Sequence, residues 1–150
     1  MEELHRTVDT RELMETYREL LKEADCLPLG VTGSSMTPFL APGRDRVWLT
    51  AVKRPLKVGD VVLYQRDSGA YILHRICRVE GDRFALVGDA HRVIEHGVRR
   101  DQIFALVNRV ERKGKILTAG SFWWEFFEKL WVRMIPLRGI ALRLYGVLSR

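Results

Sequence analysis

Three short segments carry residues that together could catalyse acyl transfer. Ser35 lies in a turn with Gly33 and Ser34 and is a candidate nucleophile. A serine hydroxyl is a weak nucleophile and needs an adjacent base. His74, in an apolar strand-like run, is the usual type of base. Asp89 follows a glycine at the end of another run and could hold the histidine in one tautomer.

Each of these residues also has an ordinary structural interpretation. Serine and aspartate are common in turns, and a histidine on a sheet is more often a structural residue than a base. Three further side chains compete with Asp89 for the role of the acid: Glu95, His91 and Asp101.

The residues around the candidate nucleophile and base favour catalysis. Ile72 and Ile76 flank His74 on its own strand face. A partly apolar environment should lower the pKa of the imidazole and keep it neutral. The turn formed by Gly33, Ser34 and Ser35 would direct backbone N–H groups toward a developing oxyanion.

The pattern of apolar residues predicts the elements that must position these side chains. Apolar residues spaced by three and four predict a helix from Asp9 to Ala24. Short runs separated by turn residues predict an antiparallel barrel or coiled sheet. The predicted strands are Arg46–Thr50, Asp60–Gln65, Tyr71–Glu80, Arg83–Val87, Ile103–Glu111 and Lys115–Thr118.

Residues 119–150 differ from the rest because they are both aromatic and basic. Pro136 should divide this tail into two short amphipathic helices. Trp123, Trp124 and Trp131 are candidates for a membrane interface, where aromatic rings lie at headgroup depth. The alternative is that the same rings pack over an exposed sheet face, and the two arrangements are compatible.

The order of four short motifs resembles a known superfamily. The motifs are the Gly-x-Ser-Met-x-Pro-x-Leu box at 33–40, Gly-Asp-Val-Val at 59–62, His-Arg-Ile at 74–76 and Gly-Asp at 88–89. Together they are similar to the signal peptidase I and LexA-type serine peptidases. A histidine at position 74 places the resemblance closest to the Ser-His branch, which includes archaeal, endoplasmic-reticulum and sporulation-associated signal peptidases.

The resemblance implies a fold of coiled antiparallel sheets and a serine endopeptidase. Ser35 would be the nucleophile, His74 the base and Asp89 the acid. The family has a second aspartate after the Gly-Asp box, and Glu95 is its nearest substitute here. Met36 and Pro38 of the serine box would support the substrate site. The domain organisation expected is a helical segment at 1–28, the peptidase-like domain at 29–118 and the helical tail at 119–150.

Composition and charge narrow the partners. The chain has 150 residues and a net charge of +6, although residues 1–25 are acidic. The basic remainder suits nucleic acid, an anionic membrane surface or an acidic peptide. No nucleic-acid-binding motif is present, so we expect a peptide or protein substrate and an anionic membrane surface as partners, not nucleic acid. We expect no cofactor and no metal.

Without an apolar leader, we expect a cytoplasmic protein that could rest on the inner face of a membrane. A catalytically inactive peptide- or membrane-binding module on the same fold is the alternative.

Overall fold

The computed structural model describes residues 2–148, and side chains from residue 11 onward. Helix α1 spans Glu2–Leu20. The strands that follow are β1 Leu27–Gly30, β2 Arg46–Thr50, β3 Val61–Gln65, β4 Tyr71–Glu80, β5 Arg83–Val87, β6 Glu95–Arg99, β7 Ile103–Arg112 and β8 Lys115–Leu117. Helices α2, Phe122–Glu125, and α3, Arg138–Leu148, lie on either side of a π-helical turn and two 3₁₀ turns.

The strands form one mainly antiparallel sheet, as the sequence predicts. Its order is β1-β2-β7-β3-β4-β5-β6, and β8 pairs with the end of β7. Tight turns at 67–69 and 81–82 join β3 to β4 and β4 to β5. Within residues 2–148, no helix combines the length and the apolar character needed to span a bilayer.

Three elements differ from their predicted form. Helix α1 begins at Glu2 and ends at Leu20, so it starts before Asp9 and stops short of Ala24. Strands β1 and β6 were not predicted, because both are short and contain breaking residues. Pro28 lies in β1, and Gly97 of β6 has a positive φ of 74°.

Strand β4 lies between the two apolar clusters of the molecule. Successive side chains of a strand point to opposite faces, so His74 and Arg75 face different surroundings. His74 shares a face with Ile76 and with its cross-strand partner Val62, both members of the smaller cluster. The guanidinium of Arg75 lies 5.2 Å from the ring centroid of Phe39, which belongs to the larger cluster.

The first half of the aromatic tail packs against the larger cluster. The ring of Phe127 lies 4.8 Å from that of Phe39, and Trp124 meets Phe39 edge-on at 6.4 Å. Trp131 is buried. This placement corrects the predicted membrane-interface role of Trp131, whose ring faces the protein interior. Trp124 is half-buried, and Trp123 remains 44% exposed.

Candidate active site

The backbone of Ser35 and the rings of two histidines converge on Gly88. A methyl group built on the Gly88 α-carbon would lie 2.6 Å from the backbone oxygen of Ser35. The same group would lie 3.1 Å from His74 Nε2 and 2.9 Å from His91 Nδ1. A side chain at this position would clash with the Ser35 backbone oxygen and with the His91 ring, and it would press tightly on His74. The absence of a β-carbon at residue 88 therefore allows the serine turn to approach His74.

Hydrogen bonds fix the serine turn from both sides. The N–H of Ala90 donates to the backbone oxygen of Ser35 at 2.9 Å. The N–H and hydroxyl of Thr37 both donate to the backbone oxygen of Ser34. Further along, Arg112 Nε donates to the Phe39 carbonyl at 2.7 Å. These bonds join the turn to the loop after β5 and to β7.

Three donors of this turn, two backbone N–H groups and one hydroxyl, are unpaired in the part of the chain that the structure describes. Among the described residues, the N–H groups of Ser35 and Met36 and the Ser35 hydroxyl make no hydrogen bond. Backbone N–H groups normally find partners, and free N–H groups beside a nucleophile are the arrangement that stabilises an oxyanion. The turn can therefore bind developing negative charge next to Ser35.

His74 is buried and neutral, as its apolar neighbours predicted. Burial, then His91 and then Arg66 lower the pKa of His74 from 6.5 to about 4. Nε2 lies beside Gly88, which the Ser35 backbone oxygen also approaches, while Nδ1 is buried and has no hydrogen-bond partner among the described residues. A neutral imidazole with its Nε2 toward a serine can act as a general base.

Asp89 lies on the opposite side of β4 from His74. Its two carboxylate oxygens accept hydrogen bonds from Arg75 Nε at 2.8 Å and Arg75 Nη2 at 2.9 Å. Both side chains are buried. The predicted contact between Asp89 and His74 is therefore absent, because strand alternation directs Arg75, and with it Asp89, away from the histidine.

The other candidate acids occupy different places. Glu95 lines the same cavity as His74 and accepts a hydrogen bond from Arg66 Nε at 2.7 Å. Asp101 forms an exposed ion pair with Arg99 and lies outside this cavity. The ring of His91 lies 5.5 Å from that of His74, so it is a neighbour of the base, although not an acid.

A cavity of about 750 Å³ opens over the serine and histidine. Ser35, Gly33 and Met36 line it together with His74. Pro38 borders a separate cavity of about 520 Å³ beside the aromatic tail, so the structure does not bring it to the site. Most of the remaining wall is apolar: Leu13, Met14, Leu29, Val31, Val47, Leu63, Ile72, Leu73, Leu86, Val93 and Ile94.

Two side chains of the tail donate hydrogen bonds to the loop that carries Gly88, and the sequence did not predict these bonds. Arg138 Nη1 donates to the carbonyls of Gly88 at 3.0 Å and His91 at 2.9 Å. Trp131 Nε1 donates to the Asp89 carbonyl at 2.9 Å. Arg138 is fully buried. An arginine in an otherwise apolar stretch was the only signal in the sequence that could have pointed to these bonds.

The described residues contain no candidate metal site, and the comparisons with known proteins gave no match. Within the described residues, no group of three histidine, cysteine, aspartate or glutamate side chains could hold a metal ion. Comparisons of the chain with protein-family models, with curated proteins and with solved structures gave no match.

Proposed function

We propose that this protein is a serine endopeptidase of the signal-peptidase-like type, with Ser35 as nucleophile and His74 as base. One observation carries the proposal: the Ser35 backbone oxygen and His74 Nε2 both lie beside Gly88, and Ser35 and His74 line one large cavity. Within the described residues, the N–H groups of Ser35 and Met36 have no hydrogen-bond partner. Nucleophile, base and oxyanion donors are the three parts that acyl transfer needs.

The geometry supports a two-step reaction. Ser35 Oγ attacks the carbonyl carbon of a peptide bond while His74 Nε2 takes the hydroxyl proton. The carbon–nitrogen bond then breaks, and His74 returns the proton to the leaving amine. A water molecule attacks the resulting ester, again losing its proton to His74. The bond between the ester carbon and Ser35 Oγ then breaks, and His74 returns the proton to Ser35 Oγ. The products are a carboxylic acid and free Ser35.

The cavity favours a peptide with apolar side chains. Its wall is mainly aliphatic, and the exposed polar groups at its rim include the ion pair of Arg66 with Glu95. Binding pockets of this kind are lined by apolar side chains and fix orientation through a few polar groups. An extended segment lying across the serine turn would place its carbonyl next to the free N–H groups of Ser35 and Met36.

Cleavage of a peptide library, read by mass spectrometry, tests the proposal. Wild type, Ser35→Ala and His74→Ala are compared at pH 7.5, where His74 is neutral. Ser34→Ala is the matched control, because Ser34 is an exposed serine in the same turn. Cuts made by wild type and Ser34→Ala but by neither of the other variants would support a Ser-His peptidase.

Two results would overturn the peptidase. No cut by any variant, with and without lipid vesicles, would favour an inactive binding module on the same fold. Cuts that persist in Ser35→Ala would show that another group is the nucleophile, or that a contaminant acts.

We also propose that α3 lies on an anionic membrane surface. Its exposed apolar residues recur at helical spacing, forming one uncovered stripe of five residues: Leu137 just before the helix, then Ile140, Leu144, Val147 and Leu148. Lys129, Arg133 and Arg143 are exposed in the same tail. An apolar stripe with basic neighbours is typical of helices at membrane interfaces.

Co-sedimentation with vesicles tests this surface. We expect binding to vesicles of phosphatidylglycerol and phosphatidylcholine, and weaker binding to phosphatidylcholine alone. The double variant Ile140→Glu, Leu144→Glu should bind about tenfold less or worse, since apolar burial supplies the affinity. Val79→Glu, an exposed valine of β4, is the control. Equal binding by both variants would overturn the proposal, as would a dimer in sedimentation that only the α3 variant disrupts.

A further inference from the structure

Two buried polar atoms beside the catalytic pair lack partners. Tyr64 Oη and His74 Nδ1 are both buried, and neither makes a hydrogen bond within the described residues. Their rings lie 6.3 Å apart between centroids, inclined at 60°. Buried polar groups are nearly always bonded, so an exception in a native protein calls for an explanation. Here two exceptions are neighbours.

The register of the sheet explains why these atoms are neighbours. Val62 of β3 is the cross-strand partner of His74. Tyr64 lies two residues further along β3, so its side chain is on the same face as Val62 and His74. Diagonal neighbours on one face are within reach of long and aromatic side chains. A single hydrogen bond, direct or through one water, could link the phenol to the imidazole.

A charged pair acts on this phenol: Arg66, two residues after Tyr64 in the chain, and its ion-pair partner Glu95. Arg66 Nε donates to Glu95 Oε1 at 2.7 Å, and both residues line the cavity that contains His74. Burial and the Glu95 carboxylate raise the pKa of Tyr64 far above its ordinary value. The phenol therefore stays protonated, and its O–H can donate to a carboxylate. Arg66 and His91 are the charged and titratable groups that act on His74 itself.

The reaction requires one tautomer of the histidine. If Nε2 is to accept the serine proton, the proton of the neutral ring must lie on Nδ1. That N–H needs an acceptor inside the protein, and Asp89 cannot supply it because Arg75 engages both of its oxygens.

We propose that Tyr64 is the positioning residue for His74: its oxygen accepts the Nδ1 proton in a hydrogen bond, and its own O–H donates to Glu95. This inference rests on the proposed peptidase function. Tyr64, hydrogen-bonded to the Glu95 carboxylate, would then orient the base, which is the role of the acid in a serine–histidine–acid triad. No proton moves along the relay, because the phenol keeps its proton throughout.

The tautomer of His74 tests the inference without any substrate. Ring ¹⁵N chemical shifts in the free protein should report the Nδ1–H tautomer in wild type. In Tyr64→Phe the signal should shift toward the Nε2–H form. Tyr71→Phe is the matched control, because Tyr71 lines the same cavity yet packs against Phe104. Thermal unfolding checks that each variant folds.

Kinetics provide the second measurement. With a peptide found by the library, Tyr64→Phe and Glu95→Gln should each lower kcat about 10–100-fold. KM should stay unchanged in Tyr64→Phe, since the buried phenol does not bind the substrate in the proposed scheme. Glu95 also lines the substrate cavity, so for Glu95→Gln the test is the fall in kcat. Glu95 is partly exposed, so Glu95→Gln removes the carboxylate with little change to the buried core.

The outcomes separate this inference from the proposed function. An Nε2–H tautomer in wild type, or a tautomer and kcat unchanged in Tyr64→Phe, would overturn the positioning role even if cleavage by Ser35 holds. Conversely, the absence of cleavage would overturn the peptidase, whereas the tautomer measurement would still report the hydrogen bond from His74 to Tyr64.

Discussion

The polar side chains on the two faces of β4 differ in how completely they are hydrogen-bonded. On one face, Arg75 gives two hydrogen bonds to Asp89 and a third to the Gly59 carbonyl at 2.8 Å. On the other face, His74 Nδ1 and Tyr64 Oη are buried with no partner among the described residues. Adjacent residues of one strand thus differ in their hydrogen bonding. Each side-chain nitrogen of Arg75 has a partner, whereas His74 Nδ1 has none among the described residues.

The contrast separates a structural role from a chemical one. A buried ion pair with every hydrogen bond made has no capacity left for a ligand, and it holds the loop after β5 against the sheet. A neutral base must instead keep one nitrogen free for the reacting proton. In His74 that nitrogen is Nε2, beside Gly88, whereas Nδ1 is buried in the protein interior. His74, at the cavity wall, is therefore the residue of this strand that could act on a substrate.

The largest effect on stability should come from removing Arg75, on the fully hydrogen-bonded face of β4. Arg75→Met leaves the Asp89 carboxylate buried without its partner, which should lower the free energy of unfolding by about 3–5 kcal/mol. Chemical denaturation followed by circular dichroism measures this loss. Arg99→Met is the control, because Arg99 pairs with Asp67 at the surface, where ion pairs contribute little. Equal midpoints for the two variants would contradict the structural role of Arg75.

The second largest effect on stability should come from low pH, which acts on His74 on the other face of β4. The pKa of His74 is about 4 in the native protein and 6.5 in its ordinary state. Between these values the unfolded chain binds a proton that the native protein does not bind. Stability is therefore complete above pH 6.5 and falls as the pH drops toward 4, by about 3 kcal/mol in total.

Denaturation curves from pH 4 to pH 7 measure this dependence. Because carboxylates titrate in the same range, the relevant quantity is the difference between wild type and His74→Gln, which has no group to protonate there. Parallel curves would mean that His74 is not held neutral by burial. For the same reason, kcat/KM of an active enzyme should keep its value down to about pH 5, below the range of an ordinary histidine.

Gly88→Ala should push the serine turn away from His74. The added methyl would lie 2.6 Å from the Ser35 backbone oxygen, and backbone cannot rotate away as a side chain can. We expect a loss of about 1–3 kcal/mol of stability and a larger loss of cleavage, since the serine turn must move away from His74. Gly30→Ala is the control, because nothing lies within 4 Å of its added methyl. A fully active Gly88→Ala would show that the turn is not positioned at residue 88.

The sequence predicted six of the eight strands in the described residues because those strands carry strong local signals. Strands β2, β4 and β5 begin and end where the β-branched and apolar runs do. The turns at 67–69 and 81–82 follow from their glycines and aspartates. Strands β1 and β6 lacked such signals, since their pairing depends on neighbours distant in sequence. For the same reason, periodicity could not bring Ser35 and His74 together, and only the resemblance in the order of the motifs suggested that they form one site.

The identity of the acid shows where sequence reasoning stops. Asp89 stands at the expected place in the Gly-Asp box, but the side of β4 that it faces depends on which residue it pairs with. Arg75, the immediate neighbour of His74, takes its carboxylate. The environment of Tyr64 could not be predicted either, because it depends on the register of β3 against β4. Residue spacing along a chain does not determine such cross-strand contacts.

The smallest predicted effect concerns the support behind the site. Trp131→Phe keeps an aromatic ring but removes the N–H that donates to the Asp89 carbonyl. Losing this bond should cost about 1 kcal/mol of stability, the net value of one buried hydrogen bond. Trp124→Phe is the matched control, because Trp124 packs on Phe39 and its indole N–H makes no hydrogen bond within the described residues. The difference between the two variants in chemical denaturation isolates the bond. If Trp131→Phe is no less stable than Trp124→Phe, the tail supports the Gly88 loop through Arg138 and ring packing alone.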